Sequence, residues 1–156
     1  MAEIVPISRS HFPLWRPLYG AYALTFGPEM SDPVARIVFG WLVDASHPVN
    51  GVIALSQGDP AVAVGFAHFR AFPRTLDGNE AGFLDDLFVA PEARGSSLAR
   101  QLIGAVETHG RKQGWTEVRW VTSETNYRAR RLYDQVAERS DLLTYRASLQ
   151  ESRPTE

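Results

Sequence analysis

The chain carries at its centre the run Leu84-Asp85-Asp86-Leu87-Phe88-Val89-Ala90-Pro91-Glu92-Ala93-Arg94-Gly95-Ser96-Ser97-Leu98-Ala99. Its first half is apolar with two adjacent carboxylates, which predicts a strand. A short loop of arginine, glycine and serines follows, and the spacing of Leu98, Leu102 and Val106 then predicts an amphipathic helix. A helix amino terminus presents unpaired N–H groups and a partial positive charge, so this layout predicts a site for an anionic group such as a pyrophosphate.

The composition is that of an ordinary globular protein. The chain has 156 residues, 44% hydrophobic and 22% charged, which predicts one domain over residues 1–149 and a flexible tail over residues 150–156. A net charge of −2 gives no basic surface for nucleic acid or for a membrane. The sequence shows no amino-terminal signal pattern and no apolar run that approaches a membrane span, which favours the cytoplasm.

Residue types limit the chemistry. The chain has no cysteine, and its four histidines are scattered. This excludes a thiol nucleophile and gives no spacing typical of a metal site. Any reaction must therefore use Asp, Glu, Tyr, Ser or His side chains.

Periodicity along the chain predicts an α/β fold. The expected order is strand, two helices, three strands, helix, strand, helix and a last strand, which fits one mixed central sheet with helices on both faces. A turn at residues 57–60 joins two of the strands, and the polar residues 73–82 are predicted to form a loop. The residues that define the predicted faces are Leu14, Leu18, Tyr22 and Phe26 in the first helix, Val34, Ile37, Val38, Trp41 and Leu42 in the second, Val118, Trp120 and Thr122 in the strand after the third helix, and Leu143, Tyr145, Ala147 and Leu149 in the last strand.

Two motifs together resemble the GCN5-related N-acetyltransferase (GNAT) superfamily. Arg94-Gly95-Ser96-Ser97-Leu98-Ala99 is similar to its acetyl-CoA signature Arg/Gln-x-x-Gly-x-Gly/Ala, with Ser97 in place of the usual glycine. Asn126-Tyr127-Arg128-Ala129-Arg130-Arg131-Leu132-Tyr133 is similar to its second cofactor motif, Asn-x-x-Ala-x-x-Leu-Tyr. The early helix with Trp15, Tyr19 and Tyr22 resembles the branch that includes yeast histone, polyamine and D-amino-acid acetyltransferases.

The resemblance implies acetyl-CoA as co-substrate and no metal. The pantetheine would pair with the strand backbone at residues 87–89, and the pyrophosphate would rest on the loop and the start of the next helix. A serine Cβ at position 97 would crowd that path, although its hydroxyl partly compensates. The implied cofactor-binding residues are Leu87, Phe88, Val89, Arg94, Gly95, Ser96, Ser97, Leu98, Ala99, Arg100, Asn126, Ala129 and Tyr133.

Acetyl transfer to an amine needs a proton donor for the leaving thiolate. A tyrosine phenol, with a pKa of about 10, is protonated at pH 7 and can donate. The resemblance gives this role to Tyr133, whose alternative is a core residue on the stripe of Ala129 and Val136.

The two aspartates are the candidates for handling the amine. As neighbours on a strand, Asp85 and Asp86 should point to opposite faces. The resemblance favours Asp85 in the cleft, where it holds a water or the ammonium and passes the proton on. Asp86 then caps or pairs with an arginine, and both residues also fit solvated or salt-bridged carboxylates.

The candidate substrate-binding residues are Tyr22, Phe26, His68, Arg70 and Asp86. His68 is either a second base or a packed, hydrogen-bonded core group. The aromatic residues Trp15, Tyr19, Tyr22 and Phe26 either wall an acceptor pocket or pack in the core. Arg70 would bind a carboxylate on an amino-acid acceptor.

The implied function is an acetyl-CoA-dependent N-acetyltransferase that acts on a primary amine of a small molecule, of polyamine or amino-acid type. Direct attack in a ternary complex agrees with the lack of cysteine. The alternatives are a protein lysine or amino-terminal acetyltransferase, a non-catalytic acyl-CoA binding or sensing module and, more distantly, an unrelated phosphate-binding domain. Relatives that pair through carboxy-terminal strands imply a homodimer.

Overall fold

The computed structural model describes residues 2–58 and 61–149. The predicted turn at 57–60 lies partly, and the predicted tail at 150–156 wholly, outside the described residues. The chain divides into two compact units, one up to Thr122 and one from Ser123 onward, and each is described by itself. The expectation of one domain over residues 1–149 stays a prediction. No helix among the described residues is long and apolar enough to span a membrane.

The first unit is built on a five-stranded mixed sheet in the order β1-β2-β3-β4-β5. Strands β1 to β4 are antiparallel neighbours, and β5 runs parallel to β4. The strands are β1 (Ala2–Pro6), β2 (Val49–Ser56), β3 (Ala63–Arg74), β4 (Asn79–Val89) and β5 (Val118–Arg119). The helices of this unit are α1 (Phe12–Ala23), α2 (Asp32–Val43) and α3 (Leu98–Gln113). The predicted α/β class, a mixed sheet with helices on both faces, is confirmed.

Helices α1 and α2 cover one face of the sheet. The fully buried ring of Trp15 in α1 lies 5.1 Å from the ring of Phe39 in α2 and 5.9 Å from the ring of His68 in β3. Ile53 and Phe66, both completely buried, extend this core across β2 and β3. The indole thus joins both helices to the sheet.

The buried face of α2 differs from the predicted one. Its buried residues are Ala35, Phe39 and Leu42. Three residues of the predicted stripe, Val34, Ile37 and Trp41, are 47%, 55% and 42% exposed. The helix is apolar around most of its circumference, so apolar spacing fits more than one face.

Helix α3 covers the opposite face. Its side chains Leu98 and Leu102 pack over Gly65 of β3, where an added Cβ would lie 3.4 and 3.1 Å from them. The helix ends at Gly114, whose φ of 76° lies in the left-handed region that favours glycine. The predicted end of this helix is therefore confirmed.

The ring of Trp115 packs against two glycines on this side. A Cβ on Gly110 of α3 would lie 2.7 Å from Cε3 of the indole, and a Cβ on Gly82 of β4 would lie closer still. The same ring lies 6.2 Å from the ring of Phe69 and 5.3 Å from that of His109. The missing side chains let the indole approach the backbone of both elements.

Two strand boundaries depart from the prediction. Residues 73–82, predicted as a loop, instead form the end of β3 and the start of β4 around a turn at residues 75–78. Strand β5 pairs only through Val118 and Arg119, so the alternation that continues to Thr122 predicts too long a strand.

The second unit contains helix α4 (Tyr127–Val136). The Asn126 side-chain oxygen caps it by accepting the N–H of Ala129 at 3.4 Å. The predicted last strand is wrong, since no strand is assigned after Arg119 in the described part of the chain. Its residues Leu143, Tyr145 and Leu149 are 78%, 88% and 95% exposed.

Candidate active site

A β-bulge in β4 brings two carboxylates to one face of the sheet. Asp86 lies opposite His68, and the register shifts immediately before it, so Asp85 is the extra residue. The bulge shifts the alternation of side chains by one residue. Asp86 contacts His68 and Asp85 contacts Arg70, two residues on the same face of β3. The prediction of opposite faces is wrong because it assumed an unbroken strand.

Asp85 forms an ion pair at the surface. The Arg70 Nε lies 3.2 Å from both carboxylate oxygens, and its guanidinium lies 5.0 Å from the ring centre of Phe83. Burial raises the pKa of Asp85, and Arg70 offsets this only in part. Since the carboxylate is 30% exposed, it is accessible to a water or ligand while titrating nearer to neutral pH than an ordinary aspartate.

Asp86 accepts hydrogen bonds on both oxygens. His68 Nδ1 lies 2.9 Å from Oδ2, and the Tyr22 hydroxyl donates to Oδ1 at 2.6 Å. Burial favours the protonated carboxyl, but the neighbouring His68, and to a smaller extent the Tyr22 hydroxyl, outweigh burial and hold the pKa of Asp86 below its ordinary value. Burial and the charge of Asp86 raise the pKa of nearby Tyr19 to about 12.

His68 is 1% exposed and uses both ring nitrogens in hydrogen bonds. The Trp15 indole Nε1 donates to its Nε2 at 3.0 Å, and its Nδ1 faces Asp86. An indole N–H only donates, so Nε2 is the acceptor and Nδ1 carries the hydrogen. This geometry corresponds to a packed, hydrogen-bonded group, since no ring nitrogen has a lone pair free for a substrate proton.

The ring of Tyr22, whose hydroxyl binds Asp86, packs against other aromatic rings. The rings of Phe66 and Phe88 lie 5.5 and 5.8 Å from that of Tyr22, edge to face. Phe26, beyond the end of α1, lies 5.0 Å from the same ring and is 77% exposed. Carboxylate and aromatic faces together are typical of sites that bind cations.

The carboxyl-terminal half of β4 has one open edge. Strands β4 and β5 pair only at Gly82 and Phe83 among the described residues. The Ala90 N–H donates to the Val64 carbonyl of β3 at 2.9 Å. Hydrogen-bonded pairs alternate along a ladder, so the backbone of residues 87 and 89 points to the open edge.

The side chain of Arg94 supports this assignment. Its Nε donates to the Val89 carbonyl at 3.0 Å, and its guanidinium lies 5.6 Å from the ring centre of Phe88. Leu87 and Val89 thus present backbone groups with which an extended ligand can pair as a strand would.

The loop after β4 leads directly into α3. Gly95 has φ 82°, which requires glycine or strain. The Ser96 hydroxyl donates to the Ala93 carbonyl at 2.7 Å and accepts the N–H of Leu98 at 3.3 Å. The first turn of α3, which includes Ala99 and Arg100, supplies the N–H groups that a phosphate would contact.

Ser97 opens α3 with an ordinary backbone conformation. Its φ is −76° and its ψ is 7°, which any residue adopts. The Gln101 amide donates to the Ser97 hydroxyl at 2.6 Å. The serine therefore causes no backbone strain, and its side chain is held against α3.

The remaining predicted site residues, Asn126, Ala129 and Tyr133, lie in the second unit on α4 or at its start. Burial raises the pKa of Tyr133, so its phenol remains protonated at neutral pH. Tyr127 of the same helix is 65% exposed.

The sequence did not single out Gln101, and it offered Trp15 only as a pocket wall or a core residue, not as the hydrogen-bond partner of His68. A buried tryptophan needs an acceptor for its N–H. His68 is a polar residue within an apolar strand, so the two residue types together could have indicated a hydrogen bond between Trp15 and His68. No group of three or more His, Asp or Glu side chains in the described residues is placed to hold a metal ion.

Comparison with known families and proteins gives consistent matches. Residues 15–137 match the model of the Acetyltransferase (GNAT) family. The D-amino-acid N-acetyltransferase HPA3 of Saccharomyces cerevisiae is 30% identical over 133 residues, which cover 85% of this chain and 80% of the relative. An aminoglycoside N(6')-acetyltransferase type 1 of Stenotrophomonas maltophilia is 28% identical over 121 residues, 76% of each chain.

Solved structures of N-acetyltransferases also resemble this chain. AAC(6')-Iy in complex with the bisubstrate analog CoA-S-monomethyl-acetylneamine superposes with a TM-score of 0.78 at 25% identity, over 95% of this chain and 99% of that one. A ribosomal-protein-alanine N-acetyltransferase from Brucella melitensis has a TM-score of 0.77 at 22% identity, over 96% and 100% of the two chains. The latter likeness shows the fold alone.

Proposed function

The chain belongs to the Acetyltransferase (GNAT) family, and we propose that this N-acetyltransferase moves the acetyl group of acetyl-CoA to a primary amine of a small molecule. One observation carries the proposal. The open edge of β4 begins at the aspartate pair and ends at the loop that leads into α3. The named relatives, which act on D-amino acids or aminoglycosides, support a small acceptor.

The described residues of the first unit fit acetyl-CoA. The backbone of Leu87 and Val89 would hold the pantetheine, and Gly95, Ser96 and the first turn of α3 would hold the pyrophosphate. The solved neighbour with a CoA-containing bisubstrate analog supports this co-substrate. For Asn126, Ala129 and Tyr133 of the second unit, the match to the family motif supports a cofactor-binding role.

The residues of this chain handle two protons in the proposed reaction. Acetyl-CoA supplies the acetyl group as a thioester. Asp85 accepts, through a water, the proton that the amine loses before its nitrogen bonds to the acetyl carbon. Tyr133 donates its phenolic proton to the sulfur as the carbon–sulfur bond breaks, so CoA leaves as a thiol. The tyrosinate then takes the second proton from the acylated nitrogen, which becomes the amide, and the phenol is restored. No side chain carries the acetyl group.

The test measures CoA release from acetyl-CoA by the full chain. The acceptor panel contains D- and L-amino acids, polyamines, aminoglycosides and lysine peptides, each with the wild type and with Tyr133→Phe. We expect turnover with a small amine and its loss in the variant. Turnover with lysine peptides alone would overturn the small-molecule acceptor, and acetyl-CoA binding without any turnover would favour a binding module.

We also propose a homodimer, as the family resemblance implies. The exposed apolar residues Leu142, Leu143 and Tyr145, between 70% and 88% exposed, support an intermolecular contact in the second unit. Light scattering should give twice the mass of one chain, and Leu143→Asp should halve it. A monomeric wild type would overturn the proposal.

We propose a cytoplasmic location because acetyl-CoA is the co-substrate. Cell fractionation checks it, and recovery of the protein in another fraction would contradict it.

A further inference from the structure

We propose that Trp15 and His68 are positioning residues that hold Asp86 as an unneutralised carboxylate, and that this carboxylate binds the ammonium group of the acceptor. The identity of the ligand rests on the proposed function. The contacts form a chain in which Trp15 Nε1 donates to His68 Nε2 at 3.0 Å, and His68 Nδ1 donates to Asp86 at 2.9 Å.

Trp15 fixes the protonation state of His68. A second proton on the imidazole would have to sit on Nε2, where it would face the indole N–H at hydrogen-bond distance. Both groups would then be donors, and the completely buried indole would lose its acceptor. His68 therefore stays neutral and donates to Asp86 without cancelling its charge.

Asp86 is left with capacity for a cationic ligand. Each carboxylate oxygen can accept two hydrogen bonds, and the side chains of His68 and Tyr22 take one on each oxygen. No arginine or lysine of residues 2–58 or 61–149 forms an ion pair with Asp86, since the nearby Arg70 is paired with Asp85. The side chain is 24% exposed, so a charged amine can reach it.

The shape of the surroundings favours an ammonium over a metal ion. Tyr22 donates its hydroxyl to the carboxylate, and the rings of Phe26 and Phe88 lie 5.0 and 5.8 Å from the ring of Tyr22, so aromatic rings adjoin this side of Asp86. Aromatic faces attract an organic cation but offer no oxygen ligands to a metal.

The proposal depends on pH through the groups that face His68. Tyr19 of α1 and Asp86 of β4 contact the ring directly. Asp85 of β4 lies within electrostatic range of it, and Tyr22 of α1 acts through its hydrogen bond to Asp86. On β2 its neighbour is Gly51, which does not titrate. Loss of the indole N–H would free Nε2 to take a proton, and the resulting imidazolium would neutralise Asp86.

The first measurement is nitrogen-15 NMR of the histidine rings in the full chain from pH 8 to pH 5.5. His68→Gln identifies the signals of residue 68. We expect a neutral ring with its hydrogen on Nδ1 throughout this range in the wild type, and a ring that gains a proton in Trp15→Phe. A wild-type ring that titrates, or a variant ring that does not, would overturn the positioning role.

The second measurement is the kinetic effect of Trp15→Phe on the acceptor. We expect its KM to rise about tenfold at pH 6 and to return toward the wild-type value at pH 8, because the lost contact is a charge-assisted one. The kcat should change much less. Trp41→Phe, at a half-exposed tryptophan outside the network, is the matched control.

The two measurements separate the possible failures. A fall in activity of the same size at every pH would indicate a packing role and overturn the proposal. An unchanged KM in Asp86→Asn would overturn ammonium binding. If the wild type acetylates no amine, the proposed function fails, and the NMR titration still decides whether Trp15 fixes the ring.

Discussion

Asp85 and Asp86 are adjacent in the chain and on the same face of the sheet, yet their surroundings shift their pKa values in opposite directions. Burial raises the pKa of Asp85, whereas the neighbouring His68 and the Tyr22 hydroxyl hold the pKa of Asp86 below its ordinary value. Carboxylates whose environments separate their pKa values typically divide acid–base and electrostatic roles. The bulge in β4 thus places side by side one carboxyl that takes a proton more readily than an ordinary aspartate and one that takes it less readily.

Removal of Arg70 should move the acidic limb of the pH profile. Arg70 lowers the pKa of Asp85 against the effect of burial, so Arg70→Met raises this pKa further. The ionised base then forms only at higher pH, and the acidic limb of kcat/KM should shift in that direction.

The matched control is Arg74→Met on the same strand, which pairs with Asp77 and Glu117 instead. Asp85→Asn should remove the limb and lower kcat by roughly 100-fold. An acidic limb that stays in place in Arg70→Met would argue against Asp85 as the base.

Tyr133→Phe should lower turnover by roughly 100- to 10,000-fold, the usual range for loss of a general acid. The affinity for acetyl-CoA, measured by calorimetry, should change little because the ring remains. Tyr127→Phe, at an exposed position of the same helix, should keep full activity. A fully active Tyr133→Phe would remove this phenol from the mechanism.

Gly95 and Ser97 should respond differently to exchange. Gly95→Ala places a Cβ on a residue with φ 82°, which should lower the free energy of unfolding by about 1–2 kcal/mol. Ser97→Gly should keep or tighten CoA binding, because the hydroxyl contacts Gln101 of its own helix. Urea unfolding and CoA titration measure the two effects, and a large loss of CoA affinity in Ser97→Gly would show that the hydroxyl binds the ligand.

His109 should make stability depend on pH. Burial and, to a smaller extent, Lys112 lower the pKa of this histidine in the folded protein, so the unfolded chain binds the proton more tightly. The contribution of His109 to the free energy of unfolding is fully present above the pKa of about 6.5 that the ring has in the unfolded chain. It is lost as the pH falls toward the lower pKa of the ring in the folded protein.

The measurement is urea unfolding of the wild type and of His109→Gln between pH 7.5 and pH 5. The variant should lose less stability over this range. If the free energy of unfolding falls equally steeply with pH in the wild type and in His109→Gln, the His109 ring has the same pKa in the folded and unfolded states, which would contradict the prediction. His47→Gln, at a histidine stacked on Trp41, is a control outside this cluster.

Local sequence predicted the strand and the helix on either side of the Arg94–Ser97 loop well. The apolar run with its aspartates forms β4, and the third helix ends at Gly114. Each of these features depends on residues close in the chain. The bulge at Asp85 was not predictable, because it depends on pairing with the distant residues of β3.

Predictions that needed a packing partner failed. The apolar faces of α2 are equivalent by spacing, and only contact with α1 and the sheet selects Phe39 over Ile37 for burial. The alternation of Leu143 and Tyr145 satisfies a strand pattern, yet these residues pair with no strand in the described chain. The spacing of apolar residues shows which faces of a helix or strand could be buried, but it does not show which other element packs against them.

The contact of Trp115 with Gly82 and Gly110 also limits how this sequence can diverge. Any side chain at either glycine would collide with the indole, whereas a small residue at position 115 would remove both constraints together. Single replacements at the glycines should therefore be selected against while the tryptophan is present. In descendants of this chain, the three positions should covary, with loss of the large ring preceding or accompanying gain of a side chain at the other two.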